Sequence, residues 1–454
     1  MRFDAIVIGS GQGGNPLVYA LADHGWTVAL IEKAYLGGTC VNTGCTPTKT
    51  MVASAQIAHY ARSASRWGVE VENVRVNLPA VLARKNAVVQ NFRAGHERSV
   101  AKRPNVHLYR GHARFLAPRK LQIADDVIEG ERIFINVGTR PEPPPLEGLE
   151  TAGYLTNESL MELQQVPEHL IVLGGGYIGL EFGQMFRRFG SRVTVIHRGN
   201  QLLAREDADV AEGLQKALEG EGVEFRMNAN PIKVEKQQGR INVTIATGQQ
   251  TEIVTGTHML AATGRRPNTD DLGLDKAGVP LDSRGYIKVN GRLETAVPGI
   301  WALGDVKGGP AFTHISYDDF RILRTNVLEN GNASIEGRLV PYVLFTDPEL
   351  GRIGLTETEA RAQNKKIRVA KMPMSYVARA LETDESRGFM KAVVDATTNQ
   401  ILGAAILGIE GGEIMSMLEI AIMGKLPYTA LRDATLAHPT LAESLNNLFT
   451  HFDS

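Results

Sequence analysis

At 454 residues, 43% of them hydrophobic, the chain has the length of about three domains and enough apolar side chains for several buried cores. Its 49 Lys and Arg nearly cancel its 50 Asp and Glu, so no net field draws it to nucleic acid or to an anionic membrane. No stretch approaches the roughly 18 uninterrupted apolar residues that cross a bilayer, and the opening "MRFDAIVIGSG" is too short an apolar run for a signal-peptide core. A cytoplasmic location is therefore expected. In that reducing setting the two cysteines, Cys40 and Cys45, read as catalytic or metal-binding rather than as a structural staple.

The first predicted elements are a buried strand, a glycine turn, an apolar helix and a second strand, in "FDAIVIGSGQGG", "NPLVYALADHG" and "TVALIE". Gly9 makes the tight turn, Gly11 lets the backbone approach a pyrophosphate, and Gly14 lets helix and sheet pack closely. The phosphates then lie at the helix N-terminus, where free N–H groups and the helix dipole favour negative charge. Glu32 closes the second strand, placed to accept hydrogen bonds from a ribose.

"GGTCVNTGC" (37–45) follows, and its two cysteines bridge only if the residues between them make a loop, for which Gly44 supplies backbone freedom. Closing so small a ring contributes roughly 2 kcal/mol on the loop-entropy relation, so a bond that is made and broken fits better than a staple. "TPTKTMVASAQIAHYARSA" reads as a helix with Pro47 in its first turn. That places Cys45 at the positive helix end, where a thiolate is stabilised. Cys45 is expected to be buried against a cofactor and Cys40 to be reachable by substrate. Zinc is the rival reading, but it needs two further ligands that no nearby spacing supplies.

The strand, turn and helix pattern returns in "HLIVLGGGYIGLEFGQMFRRFGSRVTVIHR", with Gly174, Gly176 and Gly179 in the places of Gly9, Gly11 and Gly14. The repeat unit is a whole binding domain. Where the first copy has Glu32 the second has His197, with Arg198 beside it and Arg205 further on. Loss of the carboxylate and gain of arginine favour a 2′-phosphate, hence NADPH over NADH, unless these are only solvated surface charges. Two nucleotide sites on one chain suggest a relay, and a flavin is the natural second member.

"GGTCVNTGCTPTK" resembles the redox-active disulfide motif of the class I pyridine nucleotide-disulfide oxidoreductases, which include glutathione reductase, dihydrolipoamide dehydrogenase and mercuric reductase. The resemblance runs the length of the chain. "INVGTRPEPPPLEG" (135–148) is similar to the segment leaving the flavin domain, "AATGRRPNT" (261–269) to the return into it, and "GIWALGDV" (299–306) to the segment whose aspartate, here Asp305, holds the ribityl chain. "AHPTLAES" (437–444) is similar to the C-terminal stretch that supplies a His–Glu pair from the other subunit.

The resemblance implies an α/β chain: two Rossmann-like dinucleotide-binding domains, one for FAD (1–148 and 270–335) and one for NAD(P) (149–269), and a C-terminal α+β dimerisation domain (336–454). It implies that Lys49 lies near the flavin and pairs with Glu181, that Tyr177 covers the flavin until nicotinamide displaces it, and that Cys45 is the flavin-facing thiol and Cys40 the attacking one. Taken alone, Lys49 and Glu181 would be a solvated lysine and a helix-surface acid. His438, oriented by Glu443, would serve as acid and base; by itself "HP" reads as a histidine satisfied at a helix start. Cofactor contacts extend to Gly38, Thr39, Gly138, Ile178, Gly264 and Gly304.

"SYVARALETDESRGFMK" (375–391), "FTHISYDDF" (312–320) and "LPYTALRD" (426–433) are more similar to the mercuric-reductase-like branch and the bacterial reactive-chlorine resistance flavoproteins than to glutathione reductase. The ending "NNLFTHFDS" carries no cysteine pair of the kind mercuric reductase uses to deliver its metal. His314 either lies near the flavin pyrimidine ring or packs at a helix start. The expected substrate is a small disulfide or a soft metal ion, and the expected assembly a homodimer. Two other readings stay open: a dihydrolipoamide-dehydrogenase-type subunit of a multienzyme complex, and a redox sensor of low turnover.

Overall fold

Apolar runs stopped by glycine start two parallel sheets in the computed structural model, which describes residues 1–453. Arg2–Ile8 lies between Val28–Glu32 and Asp126–Ile135, parallel to both. Ala5, Ile6 and Val7 have no exposed surface, as a strand covered on both faces requires. Val106–Arg110 extends this sheet on one side. On the other, Ile300–Ala302 pairs with the end of Asp126–Ile135, so a late segment rejoins the first unit. Lys120–Ile123 and Ala113–Ala117 add an antiparallel edge.

The second parallel sheet is built around His169–Leu173, flanked by Arg192–Ile196 and His258–Ala261, with Val223–Arg226 outermost. A three-stranded antiparallel sheet, Asn230–Gln237, Arg240–Thr247 and Gln250–Gly256, is part of the same stretch. Sequence patterning did not single it out. Thr139–Pro141 and Arg265–Pro267 pair antiparallel, so the segments expected to leave and re-enter the first unit run side by side.

The third sheet is antiparallel, in the order Tyr342–Leu344, Glu349–Gly354, Ile401–Gly408, Phe389–Asp395, Ile367–Pro373. The helix Gly411–Met423 packs on it through Ile414, Met415 and Leu418 and leaves Ile420 and Met423 exposed. Glu357–Ala362 opens at Thr356, where a capping box with Glu359 satisfies free N–H groups at the helix start. The 24-residue helix Leu78–Ala101, capped by Asn77, is a further element that the sequence reading passed over. No helix among the described residues is long and apolar enough to cross a membrane.

Buried charge stitches these parts together. Arg188, with a side chain 5% exposed, pairs with Glu221 at 2.6 Å and Asp347 at 2.7 Å. Arg387 reaches the same two carboxylates, both at 2.8 Å, and Glu385 at 2.9 Å. Two guanidiniums here serve three carboxylates, so deleting one of them strands acidic groups that have lost their water. Arg188→Met should lower stability by about 3–5 kcal/mol, read as a fall in the denaturation midpoint, whereas a surface change such as Arg2→Met should leave it within about 0.5 kcal/mol.

Candidate active site

"GGTCVNTGC" folds as the short helix Gly38–Asn42, a turn, and the start of the 19-residue helix Cys45–Ser63. Gly44 is needed for closeness rather than for a left-handed turn, since a methyl there would meet the Thr39 carbonyl oxygen at 2.8 Å. That packing brings Cys40 and Cys45 together as free thiols, each shifting the other's proton affinity. In the chain alone Cys45 is exposed and Cys40 half-buried. Cys40 lies inside the turn that Gly44 closes, whereas Cys45 begins a helix and turns its Sγ to the Thr313 hydroxyl at 3.3 Å.

The hydrogen bond from Cys40 is the largest influence on Cys45, and with Thr313 and Lys49 it outweighs burial and pulls that thiol down to about 6. The same bond, together with burial, pushes the Cys40 thiol up. One sulfur is thus set to be thiolate and the other thiol.

Lys49 lies one turn into the cysteine helix. Its Nζ meets Glu181 Oε2 at 2.6 Å, while Glu181 Oε1 accepts the Phe345 N–H at 2.9 Å. The Phe345 ring sits 4.8 Å from Nζ. Sequence reasoning missed Thr313 and Phe345; the only signals were a hydroxyl at the start of "THISYDDF" and an aromatic before "TDPE".

Gly9 takes φ +98°, and a methyl there would meet the Asn136 carbonyl oxygen at 2.4 Å. Gly14 packs against the Gly9 carbonyl in the same way. Asn136 was also missed. Its Oδ1 accepts the Gly14 N–H at 2.9 Å and its Nδ2 donates to the Leu303 carbonyl at 2.9 Å, tying the glycine turn to the segment before Gly304. A polar residue ending the apolar run "IFIN" was the available signal. Gly38 rests on Gly11, where a methyl would come within 2.7 Å of the Gly11 Cα. Thr39 is exposed beside it. The N–H groups of Gly11, Gln12 and Gly13 have no partner among the described residues, so this helix start offers open donors to a pyrophosphate. Glu32 is used by its own loop: Oε2 accepts from the Ser10 N–H and hydroxyl, and Oε1 from the Ala34 N–H at 2.9 Å.

Asp305 accepts from the Thr139 hydroxyl at 3.1 Å, and burial raises its carboxyl above the usual range. The Gly304 N–H donates to Asp319 at 2.8 Å. Gly138 and Gly264 have nothing within 4 Å of the place a side chain would take. Open donors at a helix start and a polar Asp305 at the far side of the glycine turn fit a flavin dinucleotide.

In the second motif Gly174 takes φ +110° against the Ala262 carbonyl, Gly179 packs on the Gly174 carbonyl, and nothing stands within 4 Å of Gly176. The Gly176, Tyr177 and Ile178 N–H groups are open among the described residues. His197 is not an arm reaching outward. Its Nδ1 accepts the Gly175 N–H at 3.2 Å and its Nε2 donates to the Gln201 carbonyl at 2.9 Å, which fixes a neutral tautomer, and burial lowers its pKa. Arg198 and Arg205 are exposed.

Tyr177 packs edge-on against Tyr342 at 5.4 Å and Phe312 at 6.1 Å. His314 is packed at the helix start: it donates to the Pro341 carbonyl at 2.7 Å and stacks on Phe312 at 5.4 Å. His438 Nδ1 meets Glu443 Oε2 at 2.8 Å with the ring exposed, and no contact among the described residues joins it to the cysteines of its own chain. No cluster of three or more metal-ligating side chains occurs among the described residues.

The family model described as pyridine nucleotide-disulphide oxidoreductase matches residues 3–319, and the dimerisation domain of the same family matches 340–449. The chain is 36% identical to a dihydrolipoyl dehydrogenase of Thermus scotoductus, over 98% of this chain and 96% of that one. It is 32% identical to a mercuric reductase of Lysinibacillus sphaericus, over 100% of this chain and 83% of that one. The solved Cu(II) complex of the HOCl-induced flavoprotein disulfide reductase RclA from Escherichia coli superposes with a TM-score of 0.90 at 37% identity, covering 98% of this chain and 99% of that one.

Alkylation of Cys45 by iodoacetamide in the reduced protein should follow a midpoint of about 6, the rate falling as pH drops through that value because the thiolate is the nucleophile. Cys40→Ala should move the midpoint up toward the roughly 8.5 of a free thiol. Peptide mass spectrometry across pH reads both, and a midpoint that stays in place would show that Cys40 is not the principal donor.

Proposed function

This chain belongs to the pyridine nucleotide-disulphide oxidoreductase family, and on that premise we propose a homodimeric, FAD-dependent reductase that draws electrons from NADPH and passes them through Cys40 and Cys45 to a small disulfide or a soft metal ion in the cytoplasm. The observation that carries the proposal is the asymmetric thiol pair: Cys45 lowered at the head of a helix, Cys40 raised beside it, and the Lys49–Glu181 pair one turn away.

In this reading residues 1–148 and 270–335 form the FAD domain, 149–269 the NAD(P) domain and 336–454 the dimerisation domain. The pairing of Ile300–Ala302 with the first sheet supports the split first domain. Gly9, Gly11, Gly14, Glu32, Gly38, Thr39, Lys49, Gly138, Gly304 and Asp305 would hold FAD; Gly174, Gly176, Tyr177, Ile178, Gly179, Gly264, Arg198 and the His197 strut would hold NADPH. Exposed Arg198 and Arg205, with no carboxylate in the place of Glu32, support a 2′-phosphate. Exposed Tyr376, Leu381, Ile420 and Met423 support a second subunit.

When bound, the flavin supplies a two-electron route between nicotinamide and the cysteine pair. Reduction of the Cys40–Cys45 bond leaves a Cys45 thiolate, held by Cys40, Thr313 and Lys49, and a Cys40 thiol. Because Cys40 is pushed up it needs a base, the role proposed for His438 of the partner subunit, held in orientation by its Glu443. The Cys40 thiolate then attacks one sulfur of the substrate disulfide, the substrate bond breaks, and the departing thiolate takes the proton from the histidine. Cys45 attacks the mixed disulfide at Cys40, restoring the Cys40–Cys45 bond and expelling the second half of the substrate as a thiolate, which takes its proton from water. A soft cation would instead be ligated by the two thiolates; a solved relative named as a Cu(II) complex and others named mercuric reductase support that acceptor. The dihydrolipoyl dehydrogenase relative supports a complex-borne dithiol oxidoreductase as the second reading.

Anaerobic titration with NADPH should take up more than one hydride equivalent and produce a long-wavelength thiolate–flavin absorbance that Cys45→Ser abolishes. Steady-state assays with glutathione disulfide, lipoamide, mercuric and cupric ions then rank acceptors. Uptake of a single equivalent, with absorbance unchanged by the substitution, defeats the proposal. Arg198→Ala should narrow the preference for NADPH over NADH, measured as the ratio of kcat/KM values.

A further inference from the structure

Arg205 is followed by Glu206, whose carboxylate has no exposed surface. Glu206 is gripped from the third sheet by two cross-strand neighbours, Tyr342 and Arg352, which face each other in register. Arg352 donates through Nε at 3.0 Å and also through Nη2, and the Tyr342 hydroxyl donates to Oε1. The Tyr342 ring lies parallel to Phe312 at 5.6 Å, and both rings take the edge of Tyr177. Phe312 directly precedes Thr313, the partner of Cys45.

The other end of Glu206 is equally tied. Its N–H donates to the Leu203 carbonyl at 2.8 Å and its carbonyl accepts from Gln201 at 2.9 Å. Leu203 in turn donates to the Gly175 carbonyl, and Gln201 accepts from His197. The loop 199–206, flanked by the exposed Arg198 and containing Arg205, is thus bonded to the second glycine turn on one side and to the aromatic dock of Tyr177 on the other.

We infer that Glu206 and Tyr342 are positioning residues that couple engagement of a nucleotide phosphate at Arg198 and Arg205 to the seating of Tyr177, the ring that must leave before nicotinamide enters. The inference rests on the NADPH reading above. A bound phosphate shifts the backbone of Arg205, and Glu206 is the next residue. Its buried carboxylate cannot move without carrying the Tyr342 hydroxyl, because an unpaired charge there is costly. Packed rings answer such a displacement by changing seat rather than by deforming. Coupling of this kind requires that the phosphate bind the two seatings of Tyr177 unequally.

The test uses adenosine 2′,5′-bisphosphate, which carries the phosphates but no nicotinamide, and the flavin-loaded protein with Tyr177→Trp as a fluorescent reporter, the three native tryptophans being subtracted with the parent protein. Binding is followed separately by calorimetry. The expected result is a fluorescence change on titration that disappears when Tyr342→Phe is added, while calorimetric binding persists. Tyr342→Phe keeps the ring against Phe312 and removes only the hydroxyl, and Glu206→Gln should act in the same direction. A bisphosphate that binds without moving the reporter, or a response that survives Tyr342→Phe and Glu206→Gln, overturns the coupling and leaves the NADPH reading intact. A bisphosphate that fails to bind the parent protein overturns the NADPH reading and the inference with it.

Discussion

The pair of Lys49 and Glu181 is where the three parts of the chain meet. Lys49 comes from the helix that Cys45 opens, Glu181 from the helix of the second glycine motif, and Phe345, which holds the other oxygen of Glu181 and covers the ammonium, from the edge of the third sheet. A carboxylate satisfied by a backbone N–H and an ammonium is fixed in direction as well as in charge. The electrostatics of the sulfur pair therefore depend on correct docking of all three units, and the buried network of Arg188, Glu221, Asp347 and Arg387 clamps the same docking from behind.

Asymmetry between two chemically identical thiols follows from position alone. Both lie within one short turn, yet one begins a long helix beside a hydroxyl and an ammonium, and the other is enclosed by the turn. A shared hydrogen bond then drives their proton affinities apart, as with any two titrating groups that compete for one proton. The division of labour between a resting thiolate and a thiol that waits for a base needs no further device.

Much of this was legible in the sequence because it is carried by local rules. Gly9 and Gly174 sit where only glycine tolerates the backbone, and the strands before them end in unbroken apolar runs, residues 5–8 and 170–173. The helix from Cys45 and the capping box at Thr356 are equally local. What could not be read is what depends on distant partners. Thr313 and Phe345 meet the site from far along the chain, and Asn136 staples the Gly14 turn, 122 residues before it, to Leu303, 167 residues after it. His197 shows a subtler limit: it follows the strand Arg192–Ile196, as the spacing predicts, but its ring nitrogens are taken by the Gly175 N–H and the Gln201 carbonyl.

The paired strands Thr139–Pro141 and Arg265–Pro267 have a consequence of a different kind. Because the middle unit is entered and left through neighbouring strands, its two ends are already held together, and joining them demands little additional chain closure. Such a unit behaves as a cassette: the flanking pieces complete their own sheet around it through Ile300–Ala302. An ancestral duplication that dropped one nucleotide-binding module into the loop of another would leave this architecture, with neither core interrupted.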